Sequence, residues 1–260
     1  SLMAGATVNF PEEVETSAED MREVSPTIVM FPSRQWEGTV SMIQSKMADA
    51  TSFKRLIYDL FMPVGYRIAE MKIEKKRPNL LWKALYQLGD LLVFAPFRDK
   101  IGLLRVRLPY TGGAILGPDI IKFFHGIGIN IKQLMGLTEI GMVACHQGDD
   151  FKVESIGQPF AQTELKISGE GEILVKSDVA FKGYYKDEEK YQEVVWDGWL
   201  HTGDAGHLDE DGHLIFYDRV KDLRQLVNGT RFSPQYIESR LKFSPYIKDA
   251  IVLGDETRDF

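Results

Sequence analysis

Between His201 and Asp222 the stretch HTGDAGHLDEDGHLIFYDRVKD gathers three histidines, six carboxylates, Arg219 and Lys221. Two chemistries suit such a mixture: metal coordination by imidazole and carboxylate, or recognition of a polar small molecule. Metal is disfavoured. Asp211-Gly212 is a hairpin turn signal that sends His207 and His213 to opposite arms, and DEDGH lacks the remaining ligands of a calcium loop. His207, Asp209, Glu210, Asp211 and His213 therefore read as a solvated hairpin tip with no ligand. The return of that hairpin brings Asp204, before it, towards Arg219, after it.

A second set of candidates lies upstream. In TGGA, Gly112 and Gly113 would let a flat ring or a sugar approach the backbone closely. In MGLTE, Thr138 can donate to a phosphate oxygen, and Glu139 can hold a hard cation such as magnesium that bridges phosphates. The plainer reading is that the glycines serve turns and Thr138 caps a following helix, and spacing alone does not choose between the two. Other features carry little chemistry. HGIGIN is an incomplete dinucleotide fingerprint, there is no G-x-x-x-x-G-K-[ST] phosphate loop, NGT at 228 to 230 reads as a turn, and Cys145 reads as structural.

The elements that must position these residues change along the chain. Residues 34 to 76 show apolar positions at helical spacing, such as Leu56, Ile57, Leu60 and Phe61, with a break expected at Pro63 and Gly65; LLWKALYQLGDLLVF after Pro78 reads as a further helix. Given KIEKKR at 72 to 77, these helices suit either a membrane surface or, the reading preferred here, core packing with a solvated charged end. From Leu103 a strand at 103 to 108, a helix opened by Gly117-Pro118 and a strand at 129 to 134 form a βαβ unit. Its two parallel strands would turn TGGA and MGLTE to one sheet edge, where open parallel sheets bind ligands. Beyond Asp150, ELKIS, GEILVK and GHLDEDGHLIFY read as a small antiparallel barrel or sandwich. The remainder reads as a hairpin at Asn228-Gly229, a helix opened by Ser233-Pro234 and a strand at 248 to 253.

At 260 residues and 44% hydrophobic, the chain can bury a large core. A net charge of -7 and a pI near 5.4 argue against nucleic acid as a partner. One cysteine permits no internal disulfide and fits a reducing, cytoplasmic compartment. SLMAGATVNF has neither a basic n-region nor a cleavage site, so no secretory signal is expected. LLVFAPF, about the longest apolar run, is far short of the roughly 20 residues that span a bilayer, which leaves peripheral contact as the expected form of any membrane association.

Taken in order, YTGGAILGP, QLMGLTEIG, GEILVKSDVAFKGYYKDEE, DGWLHTGDAGHLDEDG and DRVKDLRQLVNGTRFSPQYIE resemble the adenylate-forming enzymes. FSPQYIE, KFSPYIKDAIVLG and SPTIVMFPSRQWEG, taken as helical, sharpen the likeness to the AMP-forming long-chain fatty acyl-CoA synthetases, over essentially the whole chain. The resemblance implies an α/β fold: a parallel-sheet subdomain with flanking helices over 1–149, a small antiparallel β-barrel over 150–221, and the start of a mobile α+β C-terminal domain over 222–260. It implies a ligase in which a long-chain fatty acid carboxylate attacks the α-phosphate of ATP, with Mg2+, to give acyl-AMP and pyrophosphate, after which the thiol of coenzyme A displaces AMP. Gly112, Gly113 and Ala114 would line the adenine and acyl pockets, with Met135 and Gly136 beside the adenine. Thr138 would meet the α-phosphate, Glu139 the magnesium, Asp204 both ribose hydroxyls and Arg219 the ribose and phosphate side. Lys221 would be the hinge of the C-terminal domain, and Gly229 would lie near the coenzyme A channel.

Three departures from the family pattern qualify this. The Ser/Thr/Gly-rich phosphate loop and the C-terminal lysine motif are not in these residues, and Met135 stands where an aromatic is usual. The expectation is a fragment that is inactive alone, with an exposed face that promotes self-association. The alternatives are an enzyme that hands acyl-AMP to a carrier protein, and a non-catalytic nucleotide-binding or interaction module.

Overall fold

The computed structural model describes residues 5–254 apart from 245 and 248. Two compact units emerge. The first comprises Ser1–Met30, Met42–Tyr110 and Ile121–Ile131; the second comprises Phe31–Ser41, Thr111–Ile120 and Lys132–Phe260.

The first unit is helical. Helix α1 (Ser17–Val24) precedes β1 (Ile28–Pro32), α2 (Ser33–Ala48), α3 (Ser52–Ile73) and α4 (Leu80–Gly89), whose N-cap Asn79 accepts from the Trp82 amide at 2.9 Å; of these, Phe31–Ser41, the end of β1 and the start of α2, belong to the second unit. A π-helical turn (Asp90–Phe94) leads into α5 (Ala95–Lys100). Contrary to the expected break, α3 runs through Pro63 and Gly65. Pro63 lies on the exposed face, where water can reach the carbonyl that its missing amide leaves without a partner. Gly65 is buried because α3 comes close to Gly126 there; a Cβ at Gly65 would stand 2.7 Å from the Gly126 carbonyl oxygen. Arg98 ties the unit together, donating to Asp90 at 2.7 Å and to the Ile127 carbonyl at 2.6 Å. His125 is buried and bonded to the Ile131 carbonyl at 2.9 Å; burial holds its pKa down at about 4, so the ring stays neutral at pH 7.

A five-stranded sheet has the order β1–β2–β3–β4–β5, with β2 (Leu108–Gly112), β3 (Lys132–Leu137), β4 (Gly141–Cys145) and β5 (Gln158–Pro159). Helix α6 (Pro118–Gly126) connects β2 to its neighbour β3, the expected βαβ unit, and the sheet is parallel in this part. Its strands begin later than expected. Leu103 bonds to the Arg98 carbonyl and Ile129 to the Phe124 carbonyl, turns that close helices, while the Arg105 amide bonds to Ser25 Oγ and the Arg107 amide to the Thr27 carbonyl. A second difference is that IVMFP, within the segment taken as helical, is strand β1. A third is that no helix follows Thr138. The chain turns at Thr138–Ile140 and β4 pairs antiparallel with β3.

The second sheet is antiparallel, in the order β10–β9–β7–β6: β6 (Thr163–Ile167), β7 (Glu172–Ser177), β9 (Trp199–Leu208) and β10 (Leu214–Arg219). Helix α7 (Glu188–Val194) and β8 (Val195–Trp196) lead into β9. The sheet curls into a half-barrel, the antiparallel subdomain expected here as a small barrel. Met135, Ile140, Val143, Ile156, Ile173, Val175, Leu200 and Leu214 form one core cluster between the sheets of the second unit. After a 3-10 turn (Val220–Asp222), the hairpin β11 (Arg224–Gln225) and β12 (Arg231–Phe232) forms about Asn228-Gly229, where Gly229 has φ +85°. Helix α8 (Pro234–Leu241) is capped by the Ser233 hydroxyl, which accepts from the Tyr236 amide at 3.0 Å. The expected strand at 248 to 253 does not form among the described residues; the Val252 amide bonds to the Glu238 carboxylate instead of to a ladder.

Candidate nucleotide site

Every candidate residue belongs to the second unit. Gly112 ends β2, and Gly113 follows in the left-handed region at φ +87° with open space where a Cβ would be. Ala114 beside it is half-buried. On the neighbouring strand Gly136 is exposed, whereas Met135 is only 6% exposed and packs into the core cluster. Thr138 and Glu139 occupy the tight β3–β4 turn, with Thr138 exposed and Glu139 half-buried. Adjacent β2 and β3 thus deliver TGGA and LTE at the ends of paired strands, as the βαβ pattern required.

Glu139 is held from a segment to which sequence reasoning gave no role. Tyr184 donates its hydroxyl to Glu139 Oε1 at 2.9 Å, and the Glu139 carbonyl accepts from the Phe181 amide at 2.6 Å. Burial, and the carboxylate it faces, push the Tyr184 phenol above its usual range, so it remains a donor at neutral pH. Tyr184 thus fixes one oxygen of the Glu139 carboxylate. Among the described residues no group of three or more His, Cys, Asp or Glu side chains gathers as a metal cage. A single carboxylate suits magnesium, which usually completes its shell with phosphate oxygens and water.

Asp204 and Arg219 meet as the hairpin predicted. They are register partners across β9 and β10, with Arg219 Nη1 3.1 Å from Asp204 Oδ1 and 2.8 Å from the Thr202 carbonyl oxygen. Asp204 is 6% exposed, and burial raises its pKa; Arg219 opposes that, while Asp218 and Glu172 add to it. The turn before it is a bulge. Glu172 pairs with Ala205 and Leu174 with His201, so β9 carries extra residues opposite one step of β7, with Gly203 at φ +68°. Thr202 Oγ1 donates to the Ile173 carbonyl at 2.7 Å and accepts from the Asp204 amide at 3.1 Å. Glu172 Oε1 accepts from the Gly203 amide at 2.8 Å, and Oε2 lies 2.9 Å from His201 Nδ1. Asp218 accepts from the Ser233 hydroxyl at 2.7 Å, joining β10 to the cap of α8. Sequence gives Tyr184, Glu172, Thr202 and Asp218 no role of their own, although all four lie in the quoted GEILVK, GYYKDEE, HTGD and DRVKD phrases.

The hairpin tip divides. His207, Glu210 and Asp211 are exposed, but His213 is 1% exposed, a correction to the solvated tip. Its Nε2 lies 2.8 Å from Asp150 Oδ2 and its Nδ1 3.0 Å from Ser155 Oγ, which in turn contacts His146 Nε2 at 3.0 Å. The order Asp, His, Ser imitates a nucleophilic triad. Ser155 is fully buried, however, and His146 Nδ1 already accepts from the Gln133 amide, so the chain of bonds ties the turn to the sheet. Outside it, Lys152 bridges Asp209 and Asp211 at 2.5 and 2.6 Å.

Lys221 is exposed in the 3-10 turn, and Gly229 is exposed at the β11–β12 tip. A cavity of about 520 Å3, within the size of small-molecule sites, lies next to the candidate residues. Its wall includes Ile115 and Leu116 after TGGA, Ala205 after Asp204, and Phe216, Tyr217 and Tyr236, but none of the candidates themselves.

Known proteins resemble this chain in sequence and in fold. A long-chain-fatty-acid–CoA ligase of Mycobacterium bovis is 32% identical over 250 residues, 96% of this chain and 41% of that protein. A Xenopus laevis long-chain-fatty-acid–CoA ligase is 31% identical over 92% of the chain and 33% of its own length, so the chain spans well under half of these relatives. Among solved structures, the adenylation domain of a carboxylate reductase from Mycobacterium chelonae superposes with TM-score 0.67 at 21% identity, covering 95% of this chain and 35% of that one, a likeness of fold. The O-succinylbenzoate coenzyme A synthetase of Bacillus subtilis, in complex with AMP, covers 58% of this chain and 34% of its own at 30% identity and TM-score 0.51. The AMP-binding enzyme family matches residues 1–185, and with most of its length so matched the chain belongs to that family.

Proposed function

We propose that the chain is part of an ATP-dependent ligase that activates a long-chain fatty acid as acyl-AMP, releasing pyrophosphate, and then transfers the acyl group to coenzyme A with release of AMP. The observation that carries this reading is the Asp204–Arg219 pair, a buried carboxylate on a bulge beside a guanidinium. Two carboxylate oxygens can accept from the two hydroxyls of a ribose, and Arg219 can answer the charge of the adjoining phosphate. Thr138 offers a donor to the α-phosphate. Glu139, with one oxygen fixed by Tyr184, would hold magnesium, which when bound neutralises phosphate charge. Gly112, Gly113, Ala114 and Gly136 leave backbone open to a flat base, and Met135 lies beneath it in the core. The long-chain-fatty-acid–CoA ligases that resemble 96% of the chain support the acyl and coenzyme A assignment.

In this reading residues 222–260 begin a mobile domain that swings about Lys221 and carries Gly229 to the coenzyme A channel, dividing the chain after 149 and after 221. A carboxylate attacking phosphorus and a thiol attacking the acyl carbon need different groups at one centre, and such motion supplies them in turn. The single cysteine supports a reducing, cytoplasmic setting.

Two measurements test the proposal. Calorimetry of this chain should detect AMP, with Asp204→Ala weakening it about 10- to 100-fold, the scale of lost charge-assisted hydrogen bonds; equal binding by the variant overturns the site. The longer protein, given ATP, magnesium, a long-chain fatty acid and coenzyme A, should yield acyl-CoA by mass spectrometry. Acyl-AMP that reacts only with a carrier protein overturns the coenzyme A assignment.

A further inference from the structure

Asp204 follows a kink in its strand, where the register against β7 shifts. Gly203 is in the left-handed region within an otherwise extended ten-residue strand, and its amide points out of the ladder. One side chain meets it. Glu172 on β7 spends its two oxygens on different parts of the same bulge, Oε1 on the Gly203 amide at 2.8 Å and Oε2 on the His201 ring at 2.9 Å. His201 is in turn stacked on Trp196, with centroids 3.8 Å apart and planes 13° from parallel. The carboxylate is thus braced on one side by an aromatic stack and on the other fixes the residue before Asp204.

We propose that Glu172 is the positioning residue of the nucleotide site: its two-pronged hold on Gly203 and His201 sets the β9 bulge and so presents the Asp204 carboxylate, beside Arg219, to the ribose. This rests on the nucleotide reading of Asp204 given above. Glu172 does not touch the nucleotide; it acts through Gly203. Its charge works against its neighbour, because Glu172 and Asp218 on β10 both favour protonation of Asp204, with Arg219 opposing. Geometry and charge therefore separate. Glu172→Gln keeps an oxygen for the Gly203 amide and offers its NH2 to His201 Nδ1, while removing the charge. Glu172→Asp keeps the charge but is too short to reach both partners.

The test has a nucleotide-free arm and a ribose arm. In the first, hydrogen exchange of the Gly203 amide, assigned from Gly203→Ala, is followed by NMR in the unliganded protein. Protection should match wild type in Glu172→Gln and fall about ten-fold, a loss of one hydrogen bond, in Glu172→Asp and Glu172→Ala; unchanged protection in the short variants overturns the proposal. In the second, adenosine, which carries the sugar hydroxyls without a titrating phosphate, is titrated by NMR between pH 4 and pH 8. Glu172→Asp should bind about ten-fold more weakly at pH 7. Glu172→Gln should bind as wild type does at pH 7 and keep binding to lower pH, since Asp204 then loses a neighbouring negative charge. A Gln variant as weak as the Asp variant, or an acid limb that does not move, overturns the proposal. Failure of wild type to bind adenosine overturns the nucleotide reading instead, and the exchange arm then decides whether Glu172 sets the bulge.

Discussion

Asp204 is placed where an ionised carboxylate is disfavoured, buried at the end of a bulge with Asp218 and Glu172 close by and Arg219 to compensate. Its pKa is raised above the ordinary value of 3.8, so between that value and the raised one the folded chain binds a proton that the unfolded chain does not. Linkage fixes the sign: Asp204 destabilises the fold at neutral pH, and that penalty fades as pH falls through the raised pKa towards 3.8. Asp204→Asn, which retains an oxygen for Arg219, should therefore raise the melting temperature at pH 7 by a few degrees, about the effect of 1 kcal/mol in a chain of this size. The gain should shrink as pH approaches 4, and AMP binding should weaken together with the loss of charge. A variant no more stable than wild type at pH 7 contradicts this.

At the scale of elements, the candidate phrases were legible where they end a strand or flank a hairpin: GG closes β2, LTE turns from β3 into β4, and TGD on β9 and DR on β10 face each other across the arms of the Asp211-Gly212 hairpin. What stayed hidden depended on tertiary approach. Gly65 reads as a helix breaker beside Pro63, yet it is there because α3 touches the backbone at Gly126. His213 reads as a solvated tip residue, yet Asp150 and Ser155, distant in sequence, bury it. Tyr184 and Glu172 carry no spacing signal towards Glu139 and Gly203. The glycines make the point testable. Gly65→Ala would set a Cβ 2.7 Å from the Gly126 oxygen and 3.0 Å from Phe94, so it should destabilise by about 1–3 kcal/mol despite the better helix propensity of alanine. Gly38→Ala in α2 meets nothing within 4 Å and should stabilise by about 0.5–1 kcal/mol. Urea midpoints moving in the same direction for both variants would contradict the packing explanation.

For the whole molecule, the first unit presents an apolar surface of a kind that isolated chains seldom leave bare. Phe53, Leu56 and Leu60 are 71%, 66% and 63% exposed along one face of α3, and Leu80, Leu81 and Leu88 of α4 are 84%, 65% and 47% exposed, with Leu91 and Leu92 following. The two helices pack on each other, so neither covers its own outward leucines. No helix among the described residues is long and apolar enough to cross a membrane, so a span does not account for them. A net charge of -7 opposes association over the molecule as a whole, but at physiological ionic strength it is screened beyond about 8 Å, whereas apolar burial acts at contact. Burial should prevail, and the chain should associate into dimers or larger species as its concentration rises. Light scattering after size exclusion checks this directly. Leu56→Lys with Leu60→Lys, both on the exposed face and remote in sequence from Asp204 and Glu139, should give a monomer that still binds AMP. Wild type that stays monodisperse and monomeric at high concentration contradicts an associating face, and a double variant that still associates moves the contact away from α3.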